Sequence, residues 1–358
     1  MPISAVDTIT LAFEHTKRQL IQPFRFGQWA RLALVGLLAG EIGGSFNFSR
    51  GFNTQREGAH GPFGRSLPHI DPALLVGLLA VIVIAAFVFA ILITYISSVM
   101  RFILFDSVLA KECHIRQGWN RRQSQGWSYF LFQLAYMLAT FGGLVILLGI
   151  PAGFAYAMGW FHEPREHVLA LVLGGIVVFF LLVVFFTVAA VLHVLIKDFV
   201  VPQMALEGIG VMEGWRRLWP MLQSEKGGYA GYIGMKIVLA IGAGIVIGIA
   251  SVIMVLIFAI PAAALVIGAI LAGSSAGLTW NAYTITVAVV VGCIIFAVLM
   301  YLLAMISVPV IVFFPAYSIY FFAPRYRALS LVLYPPPPPP PAPSSPETPP
   351  PLTPAPAV

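Results

Sequence analysis

Long apolar runs alternate along this chain with short stretches that hold almost all of its charge. Residues 73–100, 127–161, 168–196 and 237–324 contain no Asp, Glu, Lys or Arg. A helix needs about 20 apolar residues to cross ~30 Å of hydrocarbon. Each of the first three runs therefore predicts one membrane-spanning helix. The fourth is long enough for two, with a break near Gly273-Ser274-Ser275-Ala276-Gly277. A shorter segment, 32–46, is rich in glycine and carries Glu41. It is read as a sixth span because Trp29 and Arg31 can anchor it at an interface. The runs are continuous, without the ~10-residue alternating segments of an outer-membrane barrel. The predicted fold class is all-α, a polytopic membrane helix bundle of six transmembrane helices.

Between the spans, three segments carry helical periodicity. Met204, Val211, Trp215, Leu218 and Leu222 fall on one helical face, as do Val6, Ile9, Phe13 and Leu20; residues 107–122 show a weaker version through Val108, Ile115 and Trp119. Ser4 followed by Asp7 has the spacing of a capping box, and Pro23 limits the first of these helices. Such helices are expected to be amphipathic and interfacial, lying in the headgroup plane.

These segments also repeat. Gln117-Gly118-Trp119-Asn120-Arg121-Arg122 matches Glu213-Gly214-Trp215-Arg216-Arg217-Leu218 at an offset of 96 residues, and Arg101-Phe102-Ile103-Leu104-Phe105 matches Lys197-Asp198-Phe199-Val200-Val201 in character at the same offset. Val310 to Pro315 resembles Lys197 to Pro202, and Ile150-Pro151-Ala152 recurs as Ile260-Pro261-Ala262. The reading is an internal repeat of three units, about 1–106, 107–202 and 203–324. Each is a cytoplasmic amphipathic helix followed by a helical hairpin. Hairpins insert with the same polarity, so the repeats are parallel.

Composition sharpens this picture. Of 358 residues, 59% are hydrophobic and only 9% are charged, against about 25% charged in soluble domains. Mean hydropathy is +0.93. A soluble enzyme, a disordered regulator and a basic nucleic-acid binder are excluded. The net charge is +6. On the six-span topology fifteen Lys and Arg side chains precede, separate or follow the hairpins on one side, and Arg50, Arg56, Arg65 and Arg165 fall on the other. The positive-inside rule then places both termini in the cytoplasm of a multi-pass protein of the plasma (inner) membrane. Residues 1–22 mix Asp7, Glu14, Lys17 and Arg18 where a secretory signal would need an apolar core.

The membrane domain, 1–324, is followed by 325–358, read as a disordered, proline-rich cytoplasmic tail with seven consecutive prolines from Pro335 to Pro341. In polyproline II form it could dock a cytoplasmic protein partner.

Candidate chemistry is sparse. Ionisable groups inside spans are the default functional candidates, which singles out Glu41 and His193. Glu41 is expected at the outer mouth, hydrated and apart from Lys236, which is expected to snorkel to the headgroups. Trp119, Arg121, Arg122, Trp215, Arg216 and Arg217 are candidate lipid-interface residues, with the arginines toward anionic headgroup phosphates. The loop His162 to His167 carries ligand-type side chains, but Pro164 breaks any face on which two histidines could meet, so no metal site is assigned. No nucleophile elbow, phosphate loop or carboxylate pair is present. No enzymatic activity, cofactor or nucleic-acid partner is therefore expected.

The unit of amphipathic helix, Gly-Trp-x-Arg-Arg and hairpin resembles that of uncharacterised bacterial multi-pass membrane proteins. It is similar to the membrane domain of some glycerophosphodiester phosphodiesterases. The resemblance implies a prokaryotic inner-membrane location; the phosphodiesterase's catalytic domain has no counterpart here. The expected function is that of a scaffold or accessory component, with a transporter or channel for a small or lipid-like substrate as the alternative. A polar cavity lined by Thr94, Thr140, Thr187, Ser251 and Thr286 would mark transport.

Overall fold

A computed structural model describes residues 4–41, 72–162, 165–275 and 282–335. Among these residues every regular element is helical. In chain order they are α1 (Asp7–Leu20), α2 (Phe26–Leu38), α3 (Pro72–Ala110), α4 (Ile115–Ala157) and α5 (Val168–Leu195). A π-helical turn (Ile196–Val200) joins α5 to α6 (Val201–Glu207). Then come α7 (Val211–Ser224), α8 (Lys226–Ser275), α9 (Ala282–Phe322), a 3-10 turn (Ala323–Arg325) and α10 (Arg327–Leu333).

Five helical segments are long and apolar enough to cross a bilayer, and this is a multi-pass membrane protein. The break predicted for the last apolar run, 273–277, reaches into residues outside those described. The sixth predicted span is shorter than expected. α2 has 13 residues, about 20 Å at 1.5 Å per residue, against ~30 Å of hydrocarbon. The rest of that predicted span, and the proline-rich segment from residue 336 onward, lie outside the described residues.

The helices are packed at one end and splayed at the other. Val81, Ile84 and Phe87 of α3, Phe179 and Phe180 of α5, Val246 and Ile253 of α8, and Val289 and Ile294 of α9 are all more than half exposed. Such a surface is stable only against another apolar phase. The core instead gathers where α3, α5 and α9 end and the charged residues begin. It is built from Val99 to Val108, Leu195 to Ala205, Leu303 to Leu329 and one face of α2. At its centre Phe199, Tyr229, Tyr232, Tyr317, Phe321 and Phe322 interlock. Their ring centroids lie 4.6 Å apart for Tyr232–Phe321 and 5.0 Å for the stacked Tyr232–Tyr317 pair. Such pairs add about 0.5–1.5 kcal/mol each beyond area burial. We call this the basic end.

Two glycines let neighbouring helices close on this core. A Cβ on Gly118 would lie 3.1 Å from Ile103, and one on Gly214 would lie 2.8 Å from Val200. The amide of Gly118 bonds the carbonyl of His114 and that of Gly214 bonds the carbonyl of Gly210, closing the first turns of α4 and α7 alike.

Three expectations are corrected here. Residues 107–122 are not one helix: Ser107 to Ala110 finish α3, Lys111 takes a left-handed φ of 59°, and α4 then runs unbroken from the Gly-Trp segment into its apolar stretch. Of the face read from Val6, Ile9, Phe13 and Leu20, α1 buries Leu20 and packs Ile9 on the core, while Val6 and Phe13 stay on the outer surface at 58% and 64% exposed. It turns Thr8, Ala12, His15, Thr16 and Gln19 inward because the C-terminus of α3 leaves carbonyls without intrahelical donors. Gln19 donates to the Ser107 carbonyl (2.9 Å), and His15 Nε2 to that of Val108 (2.9 Å). The folded region also continues past residue 324. The 3-10 turn and α10 pack back, with Leu329 fully buried and the Tyr326 hydroxyl on Glu207.

Candidate functional site

At the basic end, the last apolar turns of α3, α5 and α9 and the opening turns of α8 surround a cluster of five charged side chains: Glu41, Arg101, Lys197, Asp198 and Lys236. α2 delivers Glu41. The Gln28 side chain donates to the Lys111 carbonyl (2.6 Å), and Arg101 donates to the Ala39 carbonyl (3.3 Å), so α2 runs antiparallel along the closing turns of α3. It stops level with Arg101. There Glu41 pairs with Lys197, their side chains 8% and 23% exposed. The π turn carries Lys197 and Asp198 together. Single π turns recur at functional sites. Asp198 accepts from Lys236 and from the Tyr232 hydroxyl (2.8 Å). Arg101 donates to the Tyr129 hydroxyl. Between these groups lies a cavity of about 30 Å³, closed by Leu104, Phe105, Val201, Pro202, Phe314 and Pro315.

Two sequence-based expectations fail at this point. Glu41 is not a hydrated residue at the opposite mouth from Lys236, because the short α2 returns it to the basic end and both line one cavity. Lys236 does not snorkel. Its ammonium is 85% buried against Asp198, since a carboxylate one helix away offers a better partner than water.

A second buried ion pair braces the cluster from below. Arg122 grips Asp106 with two bonds, Nε to Oδ2 at 2.6 Å and Nη2 to Oδ1 at 2.7 Å, and spends a third donor on the Ala205 carbonyl. It thereby ties α3, α4 and α6 together. On the outer rim Arg325 binds Glu225 through two bonds (2.6 and 2.7 Å), which hold that carboxyl below its ordinary range.

A family of unknown function (DUF7544) matches residues 3–332. The chain belongs to this family. Neither the curated proteins nor the solved structures give a match. In this family member the matched region takes in the whole basic-end cluster and all five long apolar helices.

The remaining sequence-predicted residues are placed as follows. His193 lies on α5 facing α4, its ring 6.2 Å from Tyr136, and does not line the cavity. Trp119 is half-buried, edge-on to Tyr95 at 6.1 Å, and Trp215 is tilted against Trp219 at 6.1 Å. Arg122 cannot reach a headgroup phosphate, because Asp106 and the Ala205 carbonyl engage it inside the fold. Arg121 is exposed. Arg216 is 80% exposed beside Glu213, and Arg217 bonds Glu213 (3.1 Å) and Glu207. Thr94, Thr140 and Thr187 each bond a carbonyl of their own helix four residues back. Ser251 lines an apolar groove of α8, and Thr286 is exposed. These five do not share a cavity.

Arg101, Lys197 and Asp198 were matched in the sequence as repeat positions only. Their functional signal was available: each ends an uncharged run, where a charge is either interfacial or paired.

Proposed function

We propose that this chain is a non-enzymatic scaffold or accessory component of the plasma (inner) membrane, built from three parallel hairpin units with both termini cytoplasmic. The observation that carries the reading is the state of its buried polar groups. They are concentrated at one end, where three ion pairs join different elements around and beside a cavity of only about 30 Å³. Substrate passage needs polar groups in series through the apolar zone, and the hydroxyls there are spent on their own helices. Burial at an offset of 96 residues supports the repeat. Val99, Met100, Ile103, Leu104, Phe105 and Val108 are buried, and so are Leu195, Ile196, Phe199, Val200, Val201 and Met204. Six spans give the even number that this topology needs. The exposed Arg121 and Arg216 then face anionic headgroups, and the prolines from Pro335 onward offer a docking segment to a cytoplasmic partner. Kinship with the membrane domain of glycerophosphodiester phosphodiesterases belongs to the same reading.

The test is a pull-down from detergent-solubilised membranes with the full chain and with a chain ending at Tyr334, alongside flux measurements in proteoliposomes. A partner that is lost with the tail, and no flux, is the expected outcome. Saturable flux of an ion or amphiphile would overturn it. One observation favours the transport alternative for a lipid-like substrate: an apolar crevice of about 480 Å³ between α8 and α9, lined by Phe258, Ala262, Ile295 and Leu302 among others.

A further inference from the structure

We propose that the basic-end cavity is a binding site for one small monoanion, held by Arg101, Lys197 and Lys236. The lining carries three cations and two carboxylates, Glu41 and Asp198, an excess of one positive charge. Other buried cations of this end have a carboxylate each: Arg122 has Asp106 and Arg325 has Glu225. Within the cavity Lys197 takes Glu41 and Lys236 takes Asp198. Arg101 is the cation left over. It is 8% exposed and its bonds go to neutral acceptors, the Tyr129 hydroxyl and the Ala39 carbonyl. Its Nε is buried with no partner at all.

A buried charge without a counter-charge costs several kcal/mol. A lysine in that position could shed its proton, but a guanidinium cannot. Among the described residues no third carboxylate lines the cavity, and an anion from outside the chain supplies the compensation. About 30 Å³ is room for one or two waters, which suits a halide or the unesterified oxygens of a phosphate. The apolar collar of Leu104, Phe105, Phe314 and Pro315 excludes a larger polar ligand. Two sources offer this chemistry: a dissolved anion, or the phosphodiester of a lipid headgroup, since Arg101 and Lys197 sit where the apolar runs of α3 and α5 end.

The experiment measures thermal unfolding of the purified full chain in detergent at constant ionic strength. Sodium gluconate is replaced stepwise by sodium chloride or sodium dihydrogen phosphate; a separate arm keeps gluconate and adds phosphatidylglycerol to the micelles. Binding of one anion raises the midpoint by about 5 °C at roughly 100 times its Kd, and above Kd the rise grows with the logarithm of concentration. A rise in the chloride or phosphate arm identifies a dissolved anion, and a rise confined to phosphatidylglycerol identifies the headgroup. Charge parity gives the control. Lys236→Met brings the lining to neutrality, with Asp198 still held by Tyr232, and loses the dependence. Glu41→Gln raises the excess to two and lowers at least tenfold the concentration at which the midpoint begins to rise. Identical wild-type midpoints in all arms overturn the proposal. So does a Lys236→Met protein that folds and keeps the wild-type response. If Lys236→Met does not fold, an unchanged onset concentration in Glu41→Gln overturns it instead.

Discussion

Replacing Asp106 by Asn tests whether the basic end is held by specific charge pairing or by apolar packing alone. The Asp106 and Arg122 side chains are 25% and 6% exposed. Asparagine keeps the volume but removes the counter-charge, so the Arg122 guanidinium is left buried with one carbonyl. Breaking a buried pair in this way costs about 3–5 kcal/mol. The partial exposure of Asp106 lets water reach the guanidinium, which places the expected loss near 3 kcal/mol, at the lower limit of that range. The matching positions 96 residues later show what an apolar solution looks like. Pro202 is buried there and Leu218 is 0% exposed. The double variant Asp106→Ala with Arg122→Leu should therefore fall within about 1 kcal/mol of wild type, since apolar replacements for buried ion pairs are often neutral. Unfolding by SDS titration in mixed micelles, run on wild type, both singles and the double, gives the coupling directly. A single Asp106→Asn that costs under 0.5 kcal/mol, or a double as damaged as the sum of its singles, would refute the reasoning.

Other expectations follow from single contacts. Gly214→Ala forces a methyl onto Val200. It should cost about 1–3 kcal/mol and be relieved by Val200→Ala, as read by the same SDS titration. His15 is buried, which lowers its pKa below 6.5. Its Nε2 proton bonds Val108 and its Nδ1 accepts from Tyr320 at 3.1 Å, so the folded state holds the neutral ring. The unfolded chain binds the proton first, so stability is complete above about pH 6.5 and falls as the pH drops through the range below it. Thermal scans between pH 7.5 and 5 should show that slope, and His15→Gln should flatten it. Burial also raises the Cys113 thiol, while Cys293 is exposed on α9. A maleimide in detergent should label Cys113 only after denaturation.

The apolar runs made the helical class and the long segments legible, because span length depends on local composition alone. The end of α1 before Pro23 was legible because proline limits a helix locally. What escaped was set by tertiary contact. Glu41 and Lys197 are 156 positions apart, and nothing in either neighbourhood names the other. Treating 32–46 as a full span sent Glu41 to the wrong end. The polar face that α1 turns inward was not legible, because hydrophobic periodicity ignores the carbonyls that α3 leaves open. Those carbonyls recruit His15 and Gln19 inward and leave Phe13 outside. Arg122 was read as interfacial from its Arg-Arg motif, although Asp106 stands 16 residues before it, across the turn between α3 and α4.

The account rests on hairpins that enter the membrane with one polarity and leave their charged ends together. Accessibility labelling of single cysteines tests this most directly, in cells carrying Arg121→Cys, Arg216→Cys, Arg327→Cys or Glu166→Cys on a Cys113→Ser, Cys293→Ser background. A membrane-impermeant maleimide added from outside should label position 166 alone, and the other three should react only after the membrane is opened. Labelling of 121 and 216 from opposite sides would contradict the account.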